Sequence, residues 1–316
     1  MTSFPANPPL VAILGPTASG KSALGVWIAE QFNGEVVACD STQLYRGFDI
    51  GTAKPTVEDR RGIAHHLVDV LGPDQESTAG MYRELALQVL SDLRSRNKLP
   101  VLTVGTGLYL RALLEGLAEV PQRSEELRKR LRKESTDHGP GYLHEVLARL
   151  DAAAAQKISA RDEQKLIRAI EVCVLAKKTL TEVHRSGKSP LQGWEVIKIG
   201  LRPAREALYE RIESRTVRML ERGWLEEVRF LLENGADTNG KAFNFIGYRE
   251  LRDVLKGKLS LKEAQACIQQ GTRNYAKRQM TWFRKDTEVH WLEGFGDDKA
   301  SQIAASALLR EQGIGI

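Results

Sequence analysis

Residues 11–22 read VAILGPTASGKS: a short apolar run, then Gly15, Gly20, Lys21 and Ser22 in the spacing G-x-x-x-x-G-K-[ST]. The apolar run predicts a buried strand, and SALGVWIAEQF (22–32) behind it predicts a helix. Strand, glycine loop and helix in that order form the context a phosphate-binding loop requires. The glycines let backbone N–H groups turn inward around an anion, with Pro16, Thr17, Ala18 and Ser19 spanning the loop between them. Lys21 adds a point charge for the terminal phosphate, and the helix start adds its dipole. The Ser22 hydroxyl suits a phosphate-bound Mg²⁺. The stretch Gly15–Ser22 is therefore expected to bind a diphosphate or nucleotide. The motif leaves open which phosphate compound binds and whether a phosphoryl group moves.

Working outward, EVVACD (35–40), HHLVDV (65–70) and PVLTVG (100–105) read, like VAIL, as strands buried on both faces. AGMYRELALQVLSDLRSRN (79–97) reads as a helix, and Gly34 and Asn97 stand where helix-ending residues belong. Strand and helix alternating at this spacing predict an α/β, P-loop NTPase-like three-layer core with a mostly parallel sheet. Near Pro121 the pattern changes. SEELRKRLRKES (124–135), GYLHEVLARLDAAAAQKI (141–158) and DEQKLIRAIEVCVLAKK (162–178) are helical, and RSGKSPLQG (185–193) closes the block. WEVIKIGL (194–201) reads as a strand again, 203–233 and 260–285 as helices, and VHWL (289–292) as a candidate last strand. The expected organisation is thus a core in 1–120 and 191–316, interrupted by an all-helical insertion over 121–190.

The second strand ends in Asp40, within CDSTQLYRGFDIGTAKP. A carboxylate at the C-terminal end of a parallel strand faces the binding crevice. There it suits a metal ligand or a proton acceptor, or simply caps a turn. Ser41, Thr42 and Gln43 add polar groups at the same edge, and the Gln43 amide suits a base edge. The fourth strand ends without an acid and runs into Thr106, Gly107 and Tyr109. Lacking the apolar-run-plus-Asp signature, the chain reads as a small-molecule transferase more than as a motor or hydrolase.

The chain has 316 residues, 42% of them hydrophobic, enough for one large core or a core with an insertion. No apolar run approaches the roughly 18 residues that span a bilayer. The opening MTSFPANPPL lacks a basic segment followed by a long apolar stretch, so no secretory signal is expected. Cys39, Cys173 and Cys267 lie far apart and suit a reducing, cytoplasmic setting, and the six histidines show no zinc spacing. Residues 1–120 hold 10 Lys and Arg against 13 Asp and Glu, a net of −3. Residues 121–190 hold 15 against 10, and residues 202–290 hold 18 against 13, each a net of +5. Basic segments of this kind are either solvated helix faces or a surface for a polyanion.

Taken together, GPTASGKS, DSTQLYRGFDIGTAKP, HHLVDV, TGLYLRALLEG, RAIEV, FIGYREL and TRNYAKRQMTWFRK resemble the tRNA dimethylallyltransferase family, over nearly the whole chain. The resemblance implies transfer of a dimethylallyl group from dimethylallyl diphosphate to N6 of the adenine at position 37, beside the tRNA anticodon, with release of diphosphate. It implies that the diphosphate sits in the P-loop with Mg²⁺, that Asp40 is the general base, and that Thr106 lies where the two substrates meet. The family arginine that grips the diphosphate maps onto Arg215, with Arg211 one turn earlier as the reserve candidate. Arg128 and the Gln164, Lys165 and Arg168 segment, with Asp40–Gln43 and Thr106, are expected to contact the anticodon stem-loop. The resemblance is to the bacterial form, without a zinc-finger extension after residue 316, and a monomer is expected.

Three positions depart from the family pattern. Val104 replaces a glycine before the fourth helix and is expected to narrow the crevice or pack beside it. Lys165 replaces an arginine of a Q-R-x-x-R pattern, exchanging a fork for a point charge. Ser22 replaces a more common threonine and keeps its hydroxyl. On the C-terminal basic helix, Arg273, Lys277 and Arg284 are expected to share an outward stripe, while Trp282 and Phe283 pack inward. Arg123, Arg130, Arg132 and Lys133 add charge in the insertion, and Arg278 and Lys285 in the last helix. The rival readings are a P-loop small-molecule kinase, an adenylate isopentenyltransferase acting on free AMP, ADP or ATP, and a nucleotide-gated RNA-binding module. The basic insertion speaks against the first two, since a free nucleotide needs no such surface, and Asp40 speaks against the third.

Overall fold

The computed structural model describes residues 7–118, 120–185, 189–238 and 240–315. Its first elements are β1 (Pro9–Leu14), α1 (Lys21–Gln31), β2 (Gly34–Cys39), α2 (Val57–Arg60), β3 (His65–His66), α3 (Ala79–Ser95), β4 (Leu99–Val104) and α4 (Gly107–Glu115). A run of helices follows: α5 (Glu125–His138), α6 (Tyr142–Leu150), α7 (Ala152–Ala155), α8 (Glu163–Ala176) and α9 (Leu180–Arg185). The chain then continues with β5 (Glu195–Leu201), α10 (Arg205–Glu221), α11 (Trp224–Glu233), α12 (Tyr248–Leu255), α13 (Leu261–Phe283), β6 (His290–Leu292) and α14 (Lys299–Glu311). A 3₁₀ turn, Lys241–Asn244, precedes α12.

All strand pairs in the six-stranded sheet are parallel, in the order β3-β2-β4-β1-β5-β6. Alternate residues face opposite sides, as the two-residue strand period requires. Val11, Ile13, Val101, Ile197 and Ile199 join Leu24 and Ile28 of α1 and Ala305 and Leu309 of α14 in one apolar cluster. Their neighbours Leu10, Ala12, Val37 and Leu102 are just as buried on the other face. Both faces are therefore covered, which is why these strands read as continuous apolar runs.

The chain divides into two compact units, Met1–Leu113 with Gln192–Ile316, and Leu114–Leu191. The second is helical among its described residues and has its own core, built from Leu131, Leu143, Leu147, Leu166, Ile167 and Ile170. At its centre Glu171 is fully buried. It accepts hydrogen bonds from Arg128 Nε (3.0 Å), Arg168 Nη1 (2.5 Å) and the Ser124 backbone N–H (2.8 Å). Burial pushes the Glu171 carboxyl up, but these donors outweigh it and hold the group below its ordinary range.

Several sequence expectations are corrected. HHLVDV forms only the two-residue edge strand β3, half-buried, because Leu67 and Asp69 adopt left-handed backbone (φ 60° and 59°) and end the pairing. Behind α1 the left-handed residue is Asn33 (φ 50°), whereas Gly34 opens β2; Asn97 is left-handed as expected (φ 53°). The helical stretch 141–158 breaks at Asp151, whose carboxylate caps α7 through the Ala154 N–H at 2.9 Å. The stretch 203–233 breaks at Gly223 (φ 94°) into α10 and α11. Ser186, Gly187 and Lys188 of the closing loop, and the first six residues, lie outside the described residues. No helix among the described residues is long and apolar enough to cross a membrane.

Candidate active site

The loop between β1 and α1 carries the phosphate motif. Lys21 is the first residue of α1, and its Nζ donates to the carbonyl oxygens of Gly15 (2.9 Å) and Pro16 (2.8 Å). Burial lowers its pKa to about 7; Asp40 opposes that shift and Arg215 adds to it. Arg215, on α10, donates from Nη2 to Thr17 Oγ1 at 2.9 Å. Burial pulls its pKa down to about 10, helped by the like charges of Arg211 and Arg218. Arg211 itself is held by Asp297 at 2.8 and 2.5 Å and lies over the Phe295 ring. Arg215 is thus the arginine aimed at the loop. Ser22, in the first turn of α1, is exposed to the cleft.

Across the cleft, β2 ends at Cys39, whose carbonyl accepts the N–H groups of both Gly105 and Thr106 at 3.0 Å. This ties the turn after β4 to the Asp40 backbone. Asp40 Oδ1 accepts from the Thr42 N–H (2.8 Å) and hydroxyl (2.7 Å), which orients the carboxylate. Oδ2 lies against Gly105, where a Cβ would fall 1.9 Å from it, so any side chain there would push the carboxylate out of place. Thr106 Oγ1 accepts the Ser41 N–H at 2.9 Å and donates to Ser41 Oγ at 3.1 Å. Val104 is fully buried in β4, so the residue that replaces the family glycine packs into the core.

Two residues of the α13 motif complete the site and were missed as site residues. Gln279 is buried; its Oε1 accepts the Thr17 N–H (2.7 Å) and its Nε2 donates to Gly105 O (2.7 Å). It therefore bridges the phosphate loop to the turn that backs Asp40. Tyr275 donates its hydroxyl to the same Gly105 oxygen at 2.9 Å. The only sequence signal was polar residues placed at core-facing helical spacing within YAKRQMTWFRK.

A cleft of about 950 Å³ runs past these groups. Its lining includes Thr17–Ser22, Asp40, Gln43, Arg215 and Arg218. The loop 49–54 forms its far wall. Glu227 accepts the N–H groups of Asp49 (3.0 Å) and Ile50 (2.7 Å) and the Tyr248 hydroxyl (2.7 Å). Lys54 is 4% exposed and bonds both Asp49 (2.6 Å) and Asp69 (2.5 Å). Trp224 packs so closely on Gly51 and Gly247 that a Cβ at either would lie 2.2 or 2.0 Å from its ring. The GFDIGTAKP and FIGYREL motifs are therefore two sides of one joint.

The structure brings Lys21, Asp40, Gln43 and Arg215 to one cleft and sets Ser41 and Thr106 in its Asp40 turn. In the helical unit, Gln164 and Lys165 are exposed, with Lys165 paired to Asp162 at 2.5 Å. Arg128 and Arg168 instead turn inward onto Glu171. Arg273 of the expected outward stripe is held by Glu213 at 2.6 Å. Trp282 does not pack inward with Phe283: it is 43% exposed, against 2% for Phe283. No cluster of three His, Cys, Asp or Glu with metal-binding geometry occurs among the described residues. A cation in the cleft would instead draw on the Ser22 hydroxyl and substrate oxygens, a donor set that suits Mg²⁺.

Residues 43–286 match the family model described as IPP transferase. The chain is 53% identical over 294 residues to a tRNA dimethylallyltransferase of Koribacter versatilis, covering 93% of this chain and 95% of that one. It is 47% identical over 302 residues to that of Solibacter usitatus, covering 96% and 97%. Among solved structures, the tRNA isopentenylpyrophosphate transferase of Bacillus halodurans superposes with a TM-score of 0.70 at 34% identity, covering 97% and 96%. A eukaryotic dimethylallyltransferase acting on tRNA gives a TM-score of 0.81 at 26% identity, covering 98% of this chain and 80% of that one.

Proposed function

This chain belongs to the IPP transferase family, and on that premise we propose that it prenylates tRNA: it moves a dimethylallyl group from dimethylallyl diphosphate to N6 of adenosine 37 and releases diphosphate. The observation that carries the reaction is one cleft lined by both an anion grip and a proton acceptor. Lys21, Arg215 and the N–H groups of Gly20–Ser22 at the start of α1 suit a diphosphate, and Asp40 lines the same space.

N6 attacks the allylic C1, the C1–O bond breaks, and its electron pair leaves on the diphosphate. Charge builds on the leaving oxygens, where Lys21 and Arg215 stabilise it most. Asp40 takes the N6 proton through Oδ2, since Oδ1 already serves Thr42. Thr106 and Ser41 set the polar edge past which the adenine reaches Asp40. Ser22 would help to hold a diphosphate-bound Mg²⁺, which supplies further positive charge to the leaving group. Gln164 and Lys165 present exposed polar groups to the RNA backbone. An anticodon loop is single-stranded, so turning one adenine out costs less than in a duplex. The three free cysteines fit a reducing compartment, and the reaction is assigned to the cytoplasm.

Free adenylates and phosphoryl acceptors fit less well, because the named relatives act on tRNA and align over more than nine-tenths of both chains. The test is incubation with bulk unmodified tRNA and dimethylallyl diphosphate, followed by nucleoside mass spectrometry. A five-carbon gain on adenosine is expected, lost in Asp40→Asn although that variant still binds tRNA. Gain on free AMP alone, or full turnover by Asp40→Asn, contradicts the assignment.

A further inference from the structure

Trp282 lies next to Phe283 on α13 but off its buried stripe, and it is 43% exposed. It is not loosely exposed. It lies on Gly107, where a Cβ would come within 2.5 Å of the indole Cδ1 and Nε1. Gly107 follows Thr106 and stands two residues from Gly105, which backs the Asp40 carboxylate. Two residues of chain reach at most about 7 Å. One short turn therefore supports the proton acceptor at one end and an open aromatic face at the other.

Exposed cations stand one turn to either side of Trp282 in the chain. Arg278, one turn earlier on α13, is exposed and lies over the Tyr275 ring at 5.7 Å. Lys285, three residues later, is also exposed. Tyr275 in turn anchors to Gly105 O. Aromatic surface interleaved with cations, beside a pocket that must receive one base, is the composition of a single-strand stacking platform. A protein partner would call for a wider apolar patch. Among the described residues, the diphosphate cleft includes Asp40 and Gly105 in its lining but not Trp282.

We propose that Trp282 stacks on an unpaired nucleobase next to the adenine that reacts, holding the loop open while that adenine enters the site. This rests on the tRNA reading above and adds a substrate-binding residue to it. Stacking needs a π-face and not merely apolar bulk, so a flat ring and a branched aliphatic side chain should part company.

The test compares Trp282→Phe, Trp282→Leu and Trp282→Ala in the full chain, with tRNA and dimethylallyl diphosphate varied separately. The KM for tRNA is expected to rise about tenfold in the Leu and Ala variants and to stay within about threefold in Phe. The KM for dimethylallyl diphosphate is expected to stay unchanged. A second measurement uses an anticodon stem-loop RNA carrying 2-aminopurine beside the target adenine. Its emission is expected to be quenched by wild type and Trp282→Phe but not by Trp282→Leu. If Leu performs as well as Phe in both assays, or if the two KM values rise together, the platform is overturned. If wild type transfers nothing to tRNA, the reaction assignment fails, and the stem-loop measurement still decides the platform.

Discussion

Arginines play opposite parts in the two units. In the helical unit, Arg128 and Arg168 close on a carboxylate that has no exposure to solvent. In the core, Arg215 has a threonine hydroxyl for a partner and like charges on either side of it along α10. The first two share one buried carboxylate and organise helices. Arg215 is a desolvated cation aimed at the phosphate loop, an arrangement that favours an anion. Counting basic residues does not separate the two cases; their partners do.

Glu171→Ala should give the largest effect, because it leaves two inward-facing arginines without their carboxylate. A loss of about 3–5 kcal/mol is expected in denaturant or thermal unfolding. Lys21→Ala and Arg215→Ala should do the reverse: no loss of stability in unfolding, but roughly 2–4 kcal/mol lost in transition-state stabilisation, read from kcat/KM for prenyl transfer. If Arg215→Ala unfolds the protein as Glu171→Ala does, the contrast between the two sites fails.

Burial lowers Lys21 to about 7, so in the free protein its charge is present below pH 7 and lost as pH rises through 7. Binding of inorganic diphosphate favours the charged form and should weaken above pH 7, by up to about tenfold per pH unit. Calorimetry from pH 7 to 9 measures this, with Lys21→Arg controlling for the ligand's own ionisation. The same depressed pKa makes the fold gain stability as pH rises above about 7, because the unfolded chain then keeps a proton that the folded chain has released. The smallest effect is expected at Lys165, whose side chain is 71% exposed. Lys165→Glu should flatten the salt dependence of tRNA binding by about 0.7 in slope, one phosphate contact on a single strand. An unaltered slope places the RNA away from this residue.

Much of this was legible locally. The phosphate loop follows from spacing and context, and the central strands follow from apolar runs that only a sheet covered on both faces explains. What was hidden depends on partners distant in the chain. Glu227 secures the N–H groups of a loop 176–178 residues earlier, and Gln279 reaches Thr17 across 262 residues. Neither leaves a periodic trace. Trp282 and Phe283 were read as an inward pair, but consecutive helical residues point about 100° apart, and only one of them can face the core squarely. HHLVDV looked like a buried strand because composition does not reveal the left-handed turns at Leu67 and Asp69.

We propose that the loop from Gly15 to Ser22 grips a diphosphate that departs from carbon. Dimethylallyl diphosphate carrying ³²P in its terminal phosphate, incubated with unmodified tRNA, tests this directly. The label is expected wholly in free diphosphate, released one for one with prenylated adenosine. Label on the RNA, or released as single phosphate in step with turnover, would contradict it.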